Sequence, residues 1–194
     1  MAPKQYTEFD YQRWLMHYGI KGQKWGQRNG PPYPLNFTGA KSVEELSSFM
    51  KGIKYSEFTK LKSPKEVAAT KLGSCHDQVV LELHELKRLG KNPVGLFMME
   101  FNPKTYQGGM THSLAFYQDD RGVSWFENAW SERAGINHFK SVSEIRKTVM
   151  QAHKSGEYGN KKDYPEMTFG VFNLDKVRPG MDLQELVDAC LPDD

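Results

Sequence analysis

The sequence predicts an α+β domain in which helices come first and an antiparallel meander follows. Three observations carry this. Ser42 with Glu45, and Ser63-Pro64-Lys65-Glu66, are two helix starts in which a hydroxyl and a glutamate can satisfy each other's unpaired amides. Ser74 opens a third helix, about residues 75–89, with Val79, Leu83 and Leu86 on one face. Beyond it come apolar and aromatic runs at 93–101, 111–117 and 123–130, the last two joined by Gln118-Asp119-Asp120-Arg121-Gly122. Those five are turn residues between strand-like segments, the mark of a hairpin. Runs of helices followed by runs of strands give an α+β architecture.

Taken in order, residues 1–40 differ from the rest. Residues 17–34 hold four glycines and three prolines, too many for a regular helix or a central strand. The stretch is basic, with Trp25 as an aromatic anchor, and suits an extended segment that docks in a groove. The domain proper is expected at 41–194. Its first helix runs to about Met50, its second to about Leu72, and its third ends at Gly90. Residues 102–110, with Pro103, Gly108 and Gly109, read as a loop. After the hairpin, Ser141 and Glu144 start a helix to about Lys154, a polar segment leads to a strand near 167–174, and Asp182 with Glu185 opens a short helix.

At 194 residues the chain is long enough for one full domain and an appendage. Net charge is +2 with acids and bases interspersed, which argues against nucleic acid as a partner. No apolar run is long enough to span a membrane and no secretory signal is evident, so neither membrane nor export is expected. Two cysteines, Cys75 and Cys190, make no disulfide framework, and a reducing compartment is expected.

The chemistry gathers around Cys75. At the first turn of a helix, unpaired amides and the helix dipole favour a thiolate. His112 opens the first hairpin strand and shares a face with Leu114 and Phe116. The next strand offers Glu127 and Asn128, and because they are adjacent only one can face the histidine. A carboxylate would stabilise the imidazolium, whereas an amide would only orient it, so Glu127 is the expected third residue and Asn128 the alternative. Together these are the parts of a thiol catalytic site. The Cys75 amide, Gln78 and Asp77 on the same turn, and Trp125 and Trp130, are expected to shape the substrate and oxyanion side. Cys190 has no such company and is expected to be structural. No cofactor or metal site is expected. His84-Glu85-Leu86-Lys87-Arg88 fails the zinc pattern His-Glu-x-x-His, no Cys-x-x-Cys exists, and neighbours on a helix such as Cys75 and His76 point about 100° apart.

Two resemblances extend this. Gly73-Ser74-Cys75-His76-Asp77-Gln78, Thr111-His112-Ser113-Leu114 and Trp125-Phe126-Glu127-Asn128-Ala129-Trp130 resemble, in order and spacing, the transglutaminase-like branch of the papain-like cysteine enzymes, especially the small proteins of Gram-positive bacteria and their mobile elements. The resemblance implies a papain-like core, its nucleophile-bearing helix packed on an antiparallel sheet, with Cys75 as nucleophile, His112 as base and Glu127 as orienter. Glu127 stands where that family usually has Asp, and Asn128-Ala129-Trp130 is similar to the Asn-Ser-Trp of papain. Gly19-Ile20-Lys21-Gly22-Gln23-Lys24-Trp25-Gly26 resembles a motif, GIKGxKWG, of phage and prophage head-associated proteins. It implies a mobile-element origin and a phage head or tail partner for residues 17–30.

The function implied is a phage- or prophage-associated cysteine enzyme, a peptidase, deamidase or acyltransferase on protein or peptide amides. It would work in the cytoplasm of a bacterial host or on the virion. The alternative is a catalytically inactive fold of the same kind serving as a virion-associated or host-takeover binding protein.

Overall fold

The computed structural model describes residues 35–172 and 174–190. Residues 17–30, the expected docking segment, lie outside the described residues. Helix α1 (Val43–Met50) and helix α2 (Pro64–Thr70) start at Ser42 and Ser63, whose hydroxyls accept the amides of Glu45 and Glu66. Between and after them lie two-residue strands β1 (Lys54–Tyr55) and β2 (Leu72–Gly73), paired in parallel. Helix α2 stops at Thr70 rather than Leu72, because Lys71 turns left-handed and releases the chain into β2.

Helix α3 (Cys75–Arg88) is the central helix. Ser74 and Asp77 cap it reciprocally, each side chain accepting the other's backbone amide. Losing such a cap typically costs ~1 kcal/mol. Gly73 packs closely just before the cap: a Cβ there would sit 3.1 Å from Asp77 Cβ and 3.3 Å from a Val67 methyl, so neighbours would have to give. Residues 35–40, expected in the leader, are instead tied to the back of α3. Glu85 accepts the Phe37 amide and the Thr38 hydroxyl, and Arg88 donates to the Ala40 carbonyl.

Five strands form one antiparallel sheet: β3 (Val94–Asn102), β4 (Gln107–Asp119), β5 (Gly122–Glu127), β6 (Gly135–Phe139) and β7 (Glu166–Val171), in the order β6-β5-β4-β3-β7. The loop expected at 102–110 is a tight turn. The Asn102 side chain accepts the amides of Lys104 and Thr105, and Asn102 pairs with Gln107. Strand β6 was not expected; it is a half-buried edge strand whose His138 is bonded to Ser124 of β5 at 3.0 Å. Helix α4 (Val142–Ser155) and helix α5 (Leu183–Cys190) complete the fold. Asp182 and Glu185 cap α5 reciprocally as expected, whereas Ser141 turns its hydroxyl to Ser143 instead of capping α4.

Strand alternation divides the sheet into two faces. Phe97, Ala115, Tyr117 and Phe126 pack with Val79, Leu83 and Leu86 of α3. Leu96, Met98, Leu114, Phe116, Val123 and Trp125 pack with Val142, Ile145 and Val149 of α4. The result is helix, sheet, helix, with an apolar layer on each side. Truncating any one of these large side chains to Ala is expected to cost ~2–5 kcal/mol. Among the described residues, no helix is long and apolar enough to cross a membrane.

Candidate active site

The pairing of β4 with β5 runs from Ala115–Phe126 to the hairpin turn. Before Ala115 the two strands part, and the N-terminus of α3 meets β4 there. The Cys75 sulfur lies 4.0 Å from the Thr111 carbonyl oxygen. This opening lets groups from both faces of the sheet converge on one thiol.

From the α4 face comes His112, two residues before Leu114 and hence on the same side. Its Nε2 lies 2.8 Å from Glu127 Oε2. Glu127, two residues after Trp125, projects from the end of β5 onto that face too. Trp125 donates its indole N–H to Oε2 at 3.2 Å. Beyond β5 the chain curls so that the amides of Asn128, Ala129 and Trp130 all donate to Oε1, at 2.9, 2.9 and 3.1 Å. Such a nest of amides suits an anion. With Nε2–H donated to the carboxylate, Nδ1 is the ring atom left for the thiol.

Asn128, the alternative third residue, points the other way. It donates its side-chain amide to Gln78 Oε1 at 2.6 Å, and Gln78 donates to the Gly73 carbonyl at 2.9 Å. Asn128 and Gln78 therefore tie the end of β5 to the first turn of α3 and to Gly73 just before it.

The electrostatics follow from these contacts. Burial alone would push the Cys75 thiol up, but the neighbouring His112 and His76 imidazoles favour the thiolate, outweigh burial and bring the thiol down to about 6. Burial disfavours a charged His112, but the Glu127 carboxylate, hydrogen-bonded to the ring, and the neighbouring Cys75 raise it to about 10. Between those values the pair is a thiolate and an imidazolium. Cys190, on α5, is pushed the opposite way by burial, far above an ordinary thiol. Both cysteines are free.

His76 is a participant that the sequence did not reveal. The expectation that it points away from Cys75 holds for the helix directions alone. Its ring turns onto β4, with Nδ1 2.7 Å from Ser113 Oγ and Nε2 3.0 Å from Thr111 Oγ1. It stacks on Phe97 and meets Phe58 edge-on. The signal lay in Thr111 and Ser113, which alternate with His112 and so offer two hydroxyls to the α3 face.

Two expected substrate-side residues have other tasks. The Asp77 carboxylate is used up by Ser74 and by the Lys62 amide at 2.8 Å, so it shapes the loop instead of presenting to a substrate. Trp125 is fully buried and steadies Glu127. Trp130 stands edge-on to the His112 ring at 6.1 Å and walls the site. Among the described residues, no group of three or more His, Cys, Asp and Glu side chains is arranged to hold a metal ion.

No protein-family model matches this sequence, and a search of curated proteins finds no match.

Proposed function

We propose that the chain is a cysteine enzyme of the transglutaminase-like, papain-like kind, acting on amides of a protein or peptide. The observation that carries this reading is the convergence of Cys75, His112 and Glu127, with the thiol held near 6 and the imidazole near 10. A lowered thiol and a charge-stabilised imidazole are what acyl transfer through sulfur requires. Cys75 Sγ attacks the amide carbonyl, and the Cys75 amide at the helix N-terminus donates to the resulting oxyanion. His112, already protonated, gives its proton to the leaving amine and then takes one from the incoming water or amine. Glu127 keeps the ring aligned and stabilises its cation.

The site is closed at rest, with Cys75 4%, His112 5% and Glu127 3% exposed. Exposed Leu72 comes shortly before Cys75 in the chain and exposed Met110 shortly before His112, and in this reading they offer apolar surface to a peptide segment. In this reading residues 17–30 serve as a docking segment for a phage head or tail protein, independent of the chemistry. Deleting residues 1–34 then leaves the thermal midpoint and Cys75 reactivity unchanged.

The reaction itself is read by incubating the protein with a glutamine-rich protein substrate and a fluorescent primary amine, beside Cys75→Ala. Amine incorporation reports transfer, a glutamine-to-glutamate mass change reports deamidation, and chain cleavage reports proteolysis. Product no greater than that of Cys75→Ala in all three would contradict the enzyme reading.

A further inference from the structure

Tyr158 lies just beyond α4, on the His112 face of the sheet. Its ring centroid is 5.0 Å from that of Trp130 and 5.9 Å from that of His112. Its backbone is pinned on both sides. The Tyr158 amide donates to the Ala152 carbonyl at 3.1 Å, and two residues on, the Asn160 amide donates to Glu100 Oε1 at 2.6 Å. Between them Gly159 takes a positive φ of 75°, and a Cβ there would land on the Glu100 carboxylate. The ring is thus set against the catalytic imidazole by fixed chain on either side.

The hydroxyl is buried and has no hydrogen-bond partner among the described residues. A buried unpaired hydroxyl carries a desolvation cost, and in a native fold it asks for a reason. Burial first, and then the negative charges of Cys75, Glu100 and Glu127, hold this phenol well above its ordinary value. Both act in one direction: they keep the proton on oxygen, so the group remains a donor throughout the working range.

We propose that the Tyr158 hydroxyl is a catalytic hydrogen-bond donor to the oxyanion that forms when Cys75 attacks a carbonyl. The inference rests on Cys75 being the nucleophile, and it adds a side-chain donor to the Cys75 amide. In this reading the hydroxyl has no partner among the described residues because its acceptor, the negative oxygen, exists only during reaction. Donors kept for the transition state accelerate the chemical step, since they give the ground state nothing.

Two reagents separate this role from all others at Cys75. Iodoacetamide alkylates the thiolate by displacing iodide, and no oxyanion forms. With p-nitrophenyl acetate, the Cys75 sulfur bonds to the carbonyl carbon and the C=O π pair moves onto oxygen. The oxyanion then collapses, expelling p-nitrophenolate with the pair from the broken C–O bond, so no acid is needed for the leaving group. Tyr158→Phe keeps the ring and removes only the unpartnered hydroxyl. Its iodoacetamide rate is expected to stay within about twofold of the native rate while its acylation burst slows on the order of 100-fold.

Equal acylation by native protein and Tyr158→Phe overturns the inference alone. So does equal slowing of both reactions, which would make Tyr158 a prop for His112. Faster alkylation with undiminished acylation would make it a clamp on the resting thiolate, and overturns the inference as well. A native Cys75 that reacts with neither reagent overturns both the inference and the reading beneath it.

Discussion

Glu127 Oε2 sits 2.8 Å from His112 Nε2, and the same carboxylate collects the indole of Trp125 and three consecutive backbone amides. A side chain so thoroughly held cannot swing away from the imidazole, and its charge is what keeps His112 protonated. Asn128, one residue on, faces α3 instead.

This division sets the first prediction. Glu127→Gln keeps the shape but removes the charge that raises His112. The imidazolium is then lost at lower pH, the thiol rises toward its ordinary value, and acylation at neutral pH falls by ~100-fold or more. Asn128→Ala loses only the tie to Gln78, and acylation is expected to drop severalfold at most. Burst kinetics on the two variants check the order; a larger effect at Asn128 would contradict it.

Cys75→Ala should abolish labelling of the protein by thiol reagents while shifting the thermal midpoint by only a few degrees. Cys75 belongs to neither apolar cluster, sitting instead at a helix end beside polar groups. Cys75 is buried, but the change to Ala removes one sulfur atom and leaves the helix cap in place, so a cost of about 1 kcal/mol is expected. Calorimetry beside mass-resolved labelling decides; an unfolded variant would make Cys75 a structural residue.

Glu82 of α3 gives a pH-dependent test. Burial first, and then the charge of Glu127, hold its carboxyl well above the usual range, and its Oε2 has no hydrogen-bond partner among the described residues. An acid protonated in the fold but ionised in the unfolded chain stabilises fully below its unfolded value. That stability is lost as pH rises toward the folded value, at up to ~1.4 kcal/mol per pH unit. Glu82→Gln has no proton to lose. Its thermal midpoint should match the native one near pH 4 and exceed it increasingly above about 4.5. Parallel melting curves across pH would contradict the assignment.

Gly159→Ala is expected to destabilise by ~2 kcal/mol or more. It combines left-handed strain with intrusion on Glu100, a buried carboxylate that also meets His153 Nε2 at 3.0 Å. Denaturant unfolding measures it; an effect below ~0.5 kcal/mol would show that the 158–160 turn is free to move and would weaken the case for a fixed Tyr158.

Much of this arrangement was legible because it is local. Ser74 before Cys75 announces a cap, and the 118–122 turn announces the hairpin that puts Glu127 beside His112. Strand alternation narrows the choice to Glu127 or Asn128 but cannot say which face α4 covers, so the choice had to come from the chemistry of a carboxylate against an amide. What stayed hidden depends on distant chain. His76 is recruited by hydroxyls of β4, and Tyr158 arrives from beyond α4 in a segment that reads as polar loop. Strand β6 carries too little apolar alternation to stand out, because as an edge strand it is bonded on one side only. Asp77 looked available on the first turn, but the Lys62 amide that claims it comes from a loop whose path no pattern reveals.

The central claim is that Cys75 is a thiolate paired with the His112 imidazolium, and the pH dependence of its alkylation tests this most directly. The rate of iodoacetamide addition, localised by mass spectrometry, should rise with pH through a midpoint of about 6 at Cys75. Cys190 should remain unlabelled in the folded protein, and Glu127→Gln should move the Cys75 midpoint upward. A midpoint at the ordinary thiol value of ~8.5, unmoved by Glu127→Gln, would contradict the account.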